Sequence, residues 1–288
     1  MRSDGLPYDL ESLSVPFRFY FEFGRDILMG NFNLLCLGDI VGPETLSCMQ
    51  KNLGAIRRKY GVSMVVANGE NVAEGNGITP EDAEDLFACG VDVITSGNHI
   101  WKKNRIYSYL DDKEEILRPA NYPSSVPGKG YTVFETGVAR VLVMNVLGTM
   151  FMDPLSCPFE TVDKILEREK GRYDISVLDI HAEATAEKKA LGYYLDGRVN
   201  AIFGTHTHVT TADEQILPKG SGYITDVGMC GCEESALGVD VENVITRLKT
   251  KLPTRFKPAS GKINVNGLLF SFDKNLKLTS VERIKEEF

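Results

Sequence analysis

The sequence predicts one α/β domain carrying two sheets. Three observations carry that reading. Strand-like and helix-compatible stretches alternate at roughly 30-residue spacing, the grammar of βαβ units and a parallel sheet. Short polar phrases repeatedly follow the strand runs. The stretch 263–284 reads as a closing hairpin, whose antiparallel pairing calls for a second sheet. Hydrophobic residues make up 43% of the 288 positions and charged residues 25%, a balance that supports a core and excludes disorder over most of the chain.

The elements follow in order. Residues 33–37 form a strand run that ends in Gly38-Asp39, and 44–60 are helix-compatible. Residues 63–67 are the next strand, ending in Gly69-Glu70-Asn71. Thr79, Pro80, Glu81 and Asp82 then open a helix, with threonine as N-cap, proline in the first turn and acids behind it. Residues 91–95 are a third strand, ending in Gly97-Asn98-His99. A proline-rich loop over 119–130 leads to strand-like runs at 131–134 and 138–147. A second set of units has strands at 175–180, ending at His181, and at 199–203, ending in Gly204-Thr205-His206-Thr207-His208. The stretch 223–226 is strand-like, 241–251 helical, and 263–272 with 276–284 complete the hairpin around Asp273-Lys274-Asn275. No internal repeat or interdomain linker is visible. Residues 1–28 read as an extension outside the main domain, which spans 29–288. The alternative is an extra edge element packed on that domain. The aromatic stretch 15–23 is interrupted by Arg18 and Glu22, which excludes a signal-peptide core.

Charge and cysteine usage narrow the function. Thirty-two basic against 40 acidic residues give a net charge of -8, which excludes a duplex nucleic-acid binder that works by neutralising many phosphates. A small phosphate compound remains compatible if the positive charge is local, such as a metal ion. No stretch approaches the ~20 apolar residues of a membrane span, so no membrane partner is expected. The six cysteines read as reduced thiols of a cytoplasmic protein. Cys230-Gly231-Cys232 lacks the spacing and the second pair of a structural zinc site.

Five polar phrases thus follow strand-like runs, and strand carboxyl ends lie along one edge of an α/β sheet. Together they supply two carboxylates (Asp39, Glu70), two amides (Asn71, Asn98) and all four histidines of the chain (His99, His181, His206, His208). That exceeds one tetrahedral ion and approximates two five- or six-coordinate ions. Mixed carboxylate and imidazole donors suit iron, manganese or zinc rather than magnesium or calcium. On an extended segment, His206 and His208 point to the same side and could serve adjacent ions. Asp179, two positions before His181, reads either as its hydrogen-bonding support or as a simple strand-end contact.

The order Gly-Asp, Gly-Glu-Asn, Gly-Asn-His, a lone histidine and Gly-Thr-His-Thr-His resembles the signature of calcineurin-like metallophosphoesterases. Glu70 stands where most of that superfamily has aspartate. With Asp179 to Thr185 and Ile224 to Met229, the pattern is similar to the YmdB-like bacterial phosphodiesterases over residues 33–284. The resemblance implies a four-layer α-β-β-α sandwich of two mixed sheets flanked by helices. It implies Asp39 and His208 on a first ion with Asn71 assisting, Glu70 bridging, and Asn98, His181 and His206 on a second. It implies that His99 stays off the metals as the catalytic imidazole. It further implies hydrolysis of small phosphodiesters, including 2′,3′- or 3′,5′-cyclic nucleotides, by a metal-bridging hydroxide, and a homo-oligomer. The loop from Cys230 to Ser235 departs from the family's Gly-Pro-containing pattern. Two other readings stand beside this one: a phosphomonoesterase on the same dimetal site, and a metal-bound regulatory protein with little turnover. Glu74-Gly75-Asn76-Gly77 lacks the spacing of a dinucleotide-binding loop.

Overall fold

The computed structural model describes residues 31–288, so the expected extension at 1–28 lies outside the described residues. The first half of the chain forms β1 (Phe32–Leu37), β2 (Asp39–Ile40), α1 (Gly42–Lys59), β3 (Met64–Asn68), α2 (Pro80–Cys89), β4 (Val93–Thr95) and α3 (Ile106–Asp112). Next come β5 (Tyr131–Glu135), β6 (Arg140–Leu147), α4 (Pro158–Arg168), β7 (Ile175–His181), α5 (Thr185–Leu195) and β8 (Ala201–Thr205). The remainder is β9 (Gln215–Ile216), β10 (Gly222–Ile224), β11 (Met229–Cys232), α6 (Val241–Thr250), β12 (Ile263–Phe272) and β13 (Leu278–Glu287).

Two mixed sheets result. The first runs β2-β11-β12-β1-β3-β4 with β13 beside β12, and the second runs β5-β6-β7-β8-β10-β9. β1, β3 and β4 pair in parallel, as do β6, β7, β8 and β10, while β12 is antiparallel to both β1 and β13. The expected hairpin is therefore present, but it extends the first sheet, and the second is built from the later βα units.

Alternation along the strands assigns the layers. Leu34, Cys36, Val66, Phe270 and Phe272 of the first sheet pack on Val141, Val143, Val177 and Phe203 of the second, in one buried cluster. The opposite face of the first sheet (Leu35, Leu37, Val65) buries Met49 and Leu53 of α1 and Leu86 of α2. The opposite face of the second (Leu142, Met144, Leu178) buries Val162 and Ile165 of α4 and Leu191 of α5. This is the expected four-layer sandwich. At α2, Thr79 and Asp82 cap each other reciprocally, with Gly90 in a left-handed conformation at the far end. All six cysteines are free thiols. Cys230 is buried in β11, and burial pushes its thiol up to about 12, so it behaves as a small apolar core residue. No helix among the described residues is long and apolar enough to cross a membrane.

Candidate metal centre

The five polar phrases meet at one end of the seam between the sheets. Asp39 opens β2, Glu70 and Asn71 follow β3, and Asn98 and His99 follow β4, all in the first sheet. His181 closes β7, and His206 and His208 follow β8, in the second. Close packing explains two glycines of these phrases, between the sheets at Gly97 and between β2 and the lead-in to β11 of the first sheet at Gly38. A Cβ on Gly97 would lie 2.2 Å from His181 Nε2, and one on Gly38 would lie 2.0 Å from the Gly228 carbonyl oxygen.

His181 Nε2 is the focus of one donor group. It lies 3.0 Å from Glu70 Oε1, 3.1 Å from Asn98 Oδ1 and 3.0 Å from His206 Nδ1. A ring nitrogen carries at most one proton, so hydrogen bonding accounts for only part of this crowding. Donors bound at right angles by bonds of about 2.1 Å sit about 3.0 Å apart, so the spacing fits adjacent ligands of one metal ion. Glu70, His181 and His206 are all within 4.8 Å of one another through one donor atom each.

A looser group lies beside it. Asp39 Oδ1 is 3.7 Å from His208 Nε2, and Asn71 Nδ2 is 3.4 Å from Asp39 Oδ1 and 3.3 Å from His208 Nε2. Glu70 stands between the groups, with Oε1 also 3.5 Å from Asn71 Nδ2 and Oε2 accepting the His99 backbone N–H at 2.8 Å. His99 Nδ1 is 2.7 Å from Asn71 Oδ1, outside both groups. All eight expected residues are therefore brought together.

Two details differ from the sequence reading. His206 and His208 do not continue a strand: their φ angles are 96° and 63°, in the left-handed region. The turn between them sends His206 to His181 and His208 to Asp39. Asn71 presents its amide nitrogen to the looser group and its oxygen to His99, and an amide nitrogen has no lone pair for an ion. It would ligate only with the amide turned through 180°, an orientation set by the hydrogen-bond network around it.

The outer ring nitrogens of His181 and His206 have supports. His181 Nδ1 is 2.9 Å from Thr205 Oγ1, which donates to Asp179 Oδ1 at 2.7 Å. Asp179 also accepts Thr95 Oγ1 at 2.5 Å and Asn68 Nδ2 at 3.2 Å. By hydrogen bonds, Asp179 thus reaches His181 through Thr205 and through Asn68, whose Nδ2 lies 3.3 Å from His181 Nδ1. His206 Nε2 faces Glu183 Oε2 at 3.2 Å. Glu183 and Thr205 both lie inside the motifs matched in the sequence, but nothing in the pattern there assigned either of them a role beside the histidines.

Electrostatics follow from burial and crowding. Burial would raise the Asp39 carboxyl, but the hydrogen bond and charge of His208, with His181 behind, hold it well below the usual range. Glu70 is likewise lowered, as His181 outweighs burial. Burial would lower His181, yet Glu70, Asp39 and Asp179 push it up to about 9. His206, buried beside that imidazole, is pushed down to about 4. Burial lowers His99 against the pull of Glu70, and raises Asp179 to about 6.

Two face-to-face mixed sheets that deliver carboxylate, amide and imidazole donors from five strand ends to one point define the metallophosphoesterase class. Within it, the chain belongs to the YmdB-like family, whose model matches residues 35–284. It is 42% identical to the 2′,3′-cyclic-nucleotide 2′-phosphodiesterase of Bacillus subtilis (strain 168), across 87% of this chain and 96% of that protein. Among solved structures, a hypothetical protein of Thermus thermophilus superposes with a TM-score of 0.83 at 40% identity, covering 89% of this chain and 99% of that one. A Mycoplasma pneumoniae protein described as a novel phosphatase superposes at 0.84 with 34% identity, covering 90% and 95%.

Proposed function

We propose that this chain is a phosphodiesterase that holds two transition-metal ions, iron or manganese before zinc, and hydrolyses small phosphodiesters such as 2′,3′- or 3′,5′-cyclic nucleotides. The observation that carries the reading is the meeting of Glu70, Asn98 and His206 about His181 Nε2 at 3.0–3.1 Å, beside a second group centred on Asp39 and His208. The name of the Bacillus subtilis relative supports the same chemistry. Asp39, His208 and Asn71 are assigned to one ion, Asn98, His181 and His206 to the other, and Glu70 to both.

Ions held there would lower the pKa of a water molecule and neutralise phosphate charge. The chain's own residues supply the rest. Thr205, backed by Asp179, accepts the Nδ1 proton of His181 and leaves Nε2 with its lone pair for a metal. Glu183 does the same for His206 through Nε2, leaving Nδ1 free. The Asn71 amide sets the proton state of His99. Turned, its oxygen would face a first ion and its N–H would hold His99 neutral. As it stands, its oxygen accepts the Nδ1 proton of a protonated His99, whose Nε2 proton, engaged by no described residue, passes to the leaving oxygen and leaves a neutral imidazole. A reduced cytoplasmic setting and a homo-oligomer belong to the same proposal. The unburied stripe Val241, Ile245 and Leu248 of α6 supports the oligomer.

Metal analysis of the purified protein, followed by turnover of cyclic nucleotides, bis-p-nitrophenyl phosphate and p-nitrophenyl phosphate, tests the reading. Two ions per chain with preference for diesters are expected. Preference for the monoester would make the protein a phosphomonoesterase, and bound metal without turnover would make it a regulatory protein.

A further inference from the structure

We propose that Lys188 and Asp226, an ion pair buried beneath the β8 end, are positioning residues that set the His206–His208 turn for metal binding. The proposal rests on the metal-centre reading above. Both side chains are 1% exposed. Lys188 Nζ donates to Asp226 Oδ2 and to the Thr205 carbonyl, each at 2.6 Å. Asp226 Oδ2 also accepts the Thr207 backbone N–H at 3.1 Å and its hydroxyl at 2.7 Å, and Oδ1 accepts the Gly228 N–H at 2.8 Å.

These contacts surround the ligands without touching them. Thr205 and Thr207 are the two neighbours of His206, so the pair grips the chain on both sides of that imidazole. The Gly228 carbonyl in turn accepts the Asp39 N–H at 3.2 Å, which links the same carboxylate to the first ion's aspartate. The lysine stem passes under Gly204, where a Cβ would stand 1.9 Å from the Thr225 carbonyl oxygen and 2.9 Å from Lys188 Cδ. The glycine of Gly204-Thr205-His206 thus makes room for the Thr225 carbonyl first and for the stem beside it.

The turn needs such a grip. Left-handed φ at two non-glycine residues is disfavoured and persists only where the surroundings over-determine it. A buried ion pair is a weak device for stability alone, since well-packed apolar groups often serve as well. As a fixed set of donors and acceptors bracketing His206, it has a geometric use. Supports of metal-ligating histidines typically change metal affinity by about 10- to 100-fold when removed.

The test is titration of the metal-stripped full chain with Co²⁺, reading both affinity and the visible absorption bands that report ligand geometry. Lys188→Met is expected to bind Co²⁺ about 10- to 100-fold more weakly with altered bands. Thr207→Val, which removes one hydroxyl, should shift affinity in the same direction by less, and Thr207→Ser should restore it. A folded Lys188→Met protein with wild-type affinity and bands overturns the proposal. If Lys188→Met does not fold, the threonine pair decides, and a Thr207→Val protein that binds as wild type overturns it. A wild-type chain that binds no Co²⁺ overturns the metal-centre reading itself.

Discussion

Substituting Gly97 by alanine places one methyl group against the residue on which the centre converges. The backbone there has no left-handed φ, so alanine adopts it, and the whole effect comes from contact. The added Cβ would lie 2.1 Å from His181 Cδ2 and 2.2 Å from Nε2, where ordinary contact begins at 3.4 Å. The ring or the β4 end must therefore move by about 1.2 Å, several times the roughly 0.2 Å tolerance of a metal–ligand distance. Misplacement by about 1 Å can cost about 10²-fold in rate. Overpacking costs about 1–3 kcal/mol, and each kcal/mol lowers the melting temperature of a chain this size by about 2–4 °C. The expected result for G97A is a folded protein that melts a few degrees lower, retains about one ion instead of two, and turns over bis-p-nitrophenyl phosphate about 10²-fold more slowly. Plasma mass spectrometry, calorimetry and a colorimetric assay read the three quantities. Gly137→Ala, where a Cβ meets nothing within 4 Å, is the control. Full metal content and full turnover in G97A would refute the placement of His181 at the centre.

Three further outcomes are expected. Glu70→Ala removes the carboxylate shared by both donor groups and should lower occupancy at both, so an unchanged metal content would sink the bridging role. His99→Asn should keep both ions while turnover falls by about 10²–10⁴-fold, more for a cyclic nucleotide than for bis-p-nitrophenyl phosphate, whose leaving group needs no proton. Equal losses on the two substrates would leave His99 only a charge-stabilising role. A chain begun at Met29 should fold, bind metal and turn over like the full chain, because Asp39 and its strand lie downstream. An insoluble product would show that residues 1–28 contribute to the domain.

The strand ends were legible because an apolar run that stops at a polar phrase leaves a mark one residue wide. The cap at Thr79 was legible for a similar reason: its partner, Asp82, is three residues away. What stayed hidden depends on partners far along the chain. α5 carries Glu187 and Lys188 on its buried side, which blurs the amphipathic pattern that would have announced it. β11 is four residues containing a glycine, and it is a strand only because β2 and β12 flank it. The left-handed turn at His206 and His208 is held by an aspartate 18 residues beyond His208, so the local sequence suggested an extended segment instead.

The two donor groups straddle a boundary: Asp39, Glu70 and Asn98 belong to one sheet, and His181, His206 and His208 to the other. The centre is therefore a rivet through the sandwich, complete only once chain segments some 170 residues apart have been joined, a slow kind of contact to form. It can be assembled only when the two halves have seated. The distance between the donors of the two sheets becomes a property of how Leu34, Phe270 and Phe203 fill the shared layer, so trimming one of those side chains, well away from the donors, would retune the spacing across the rivet.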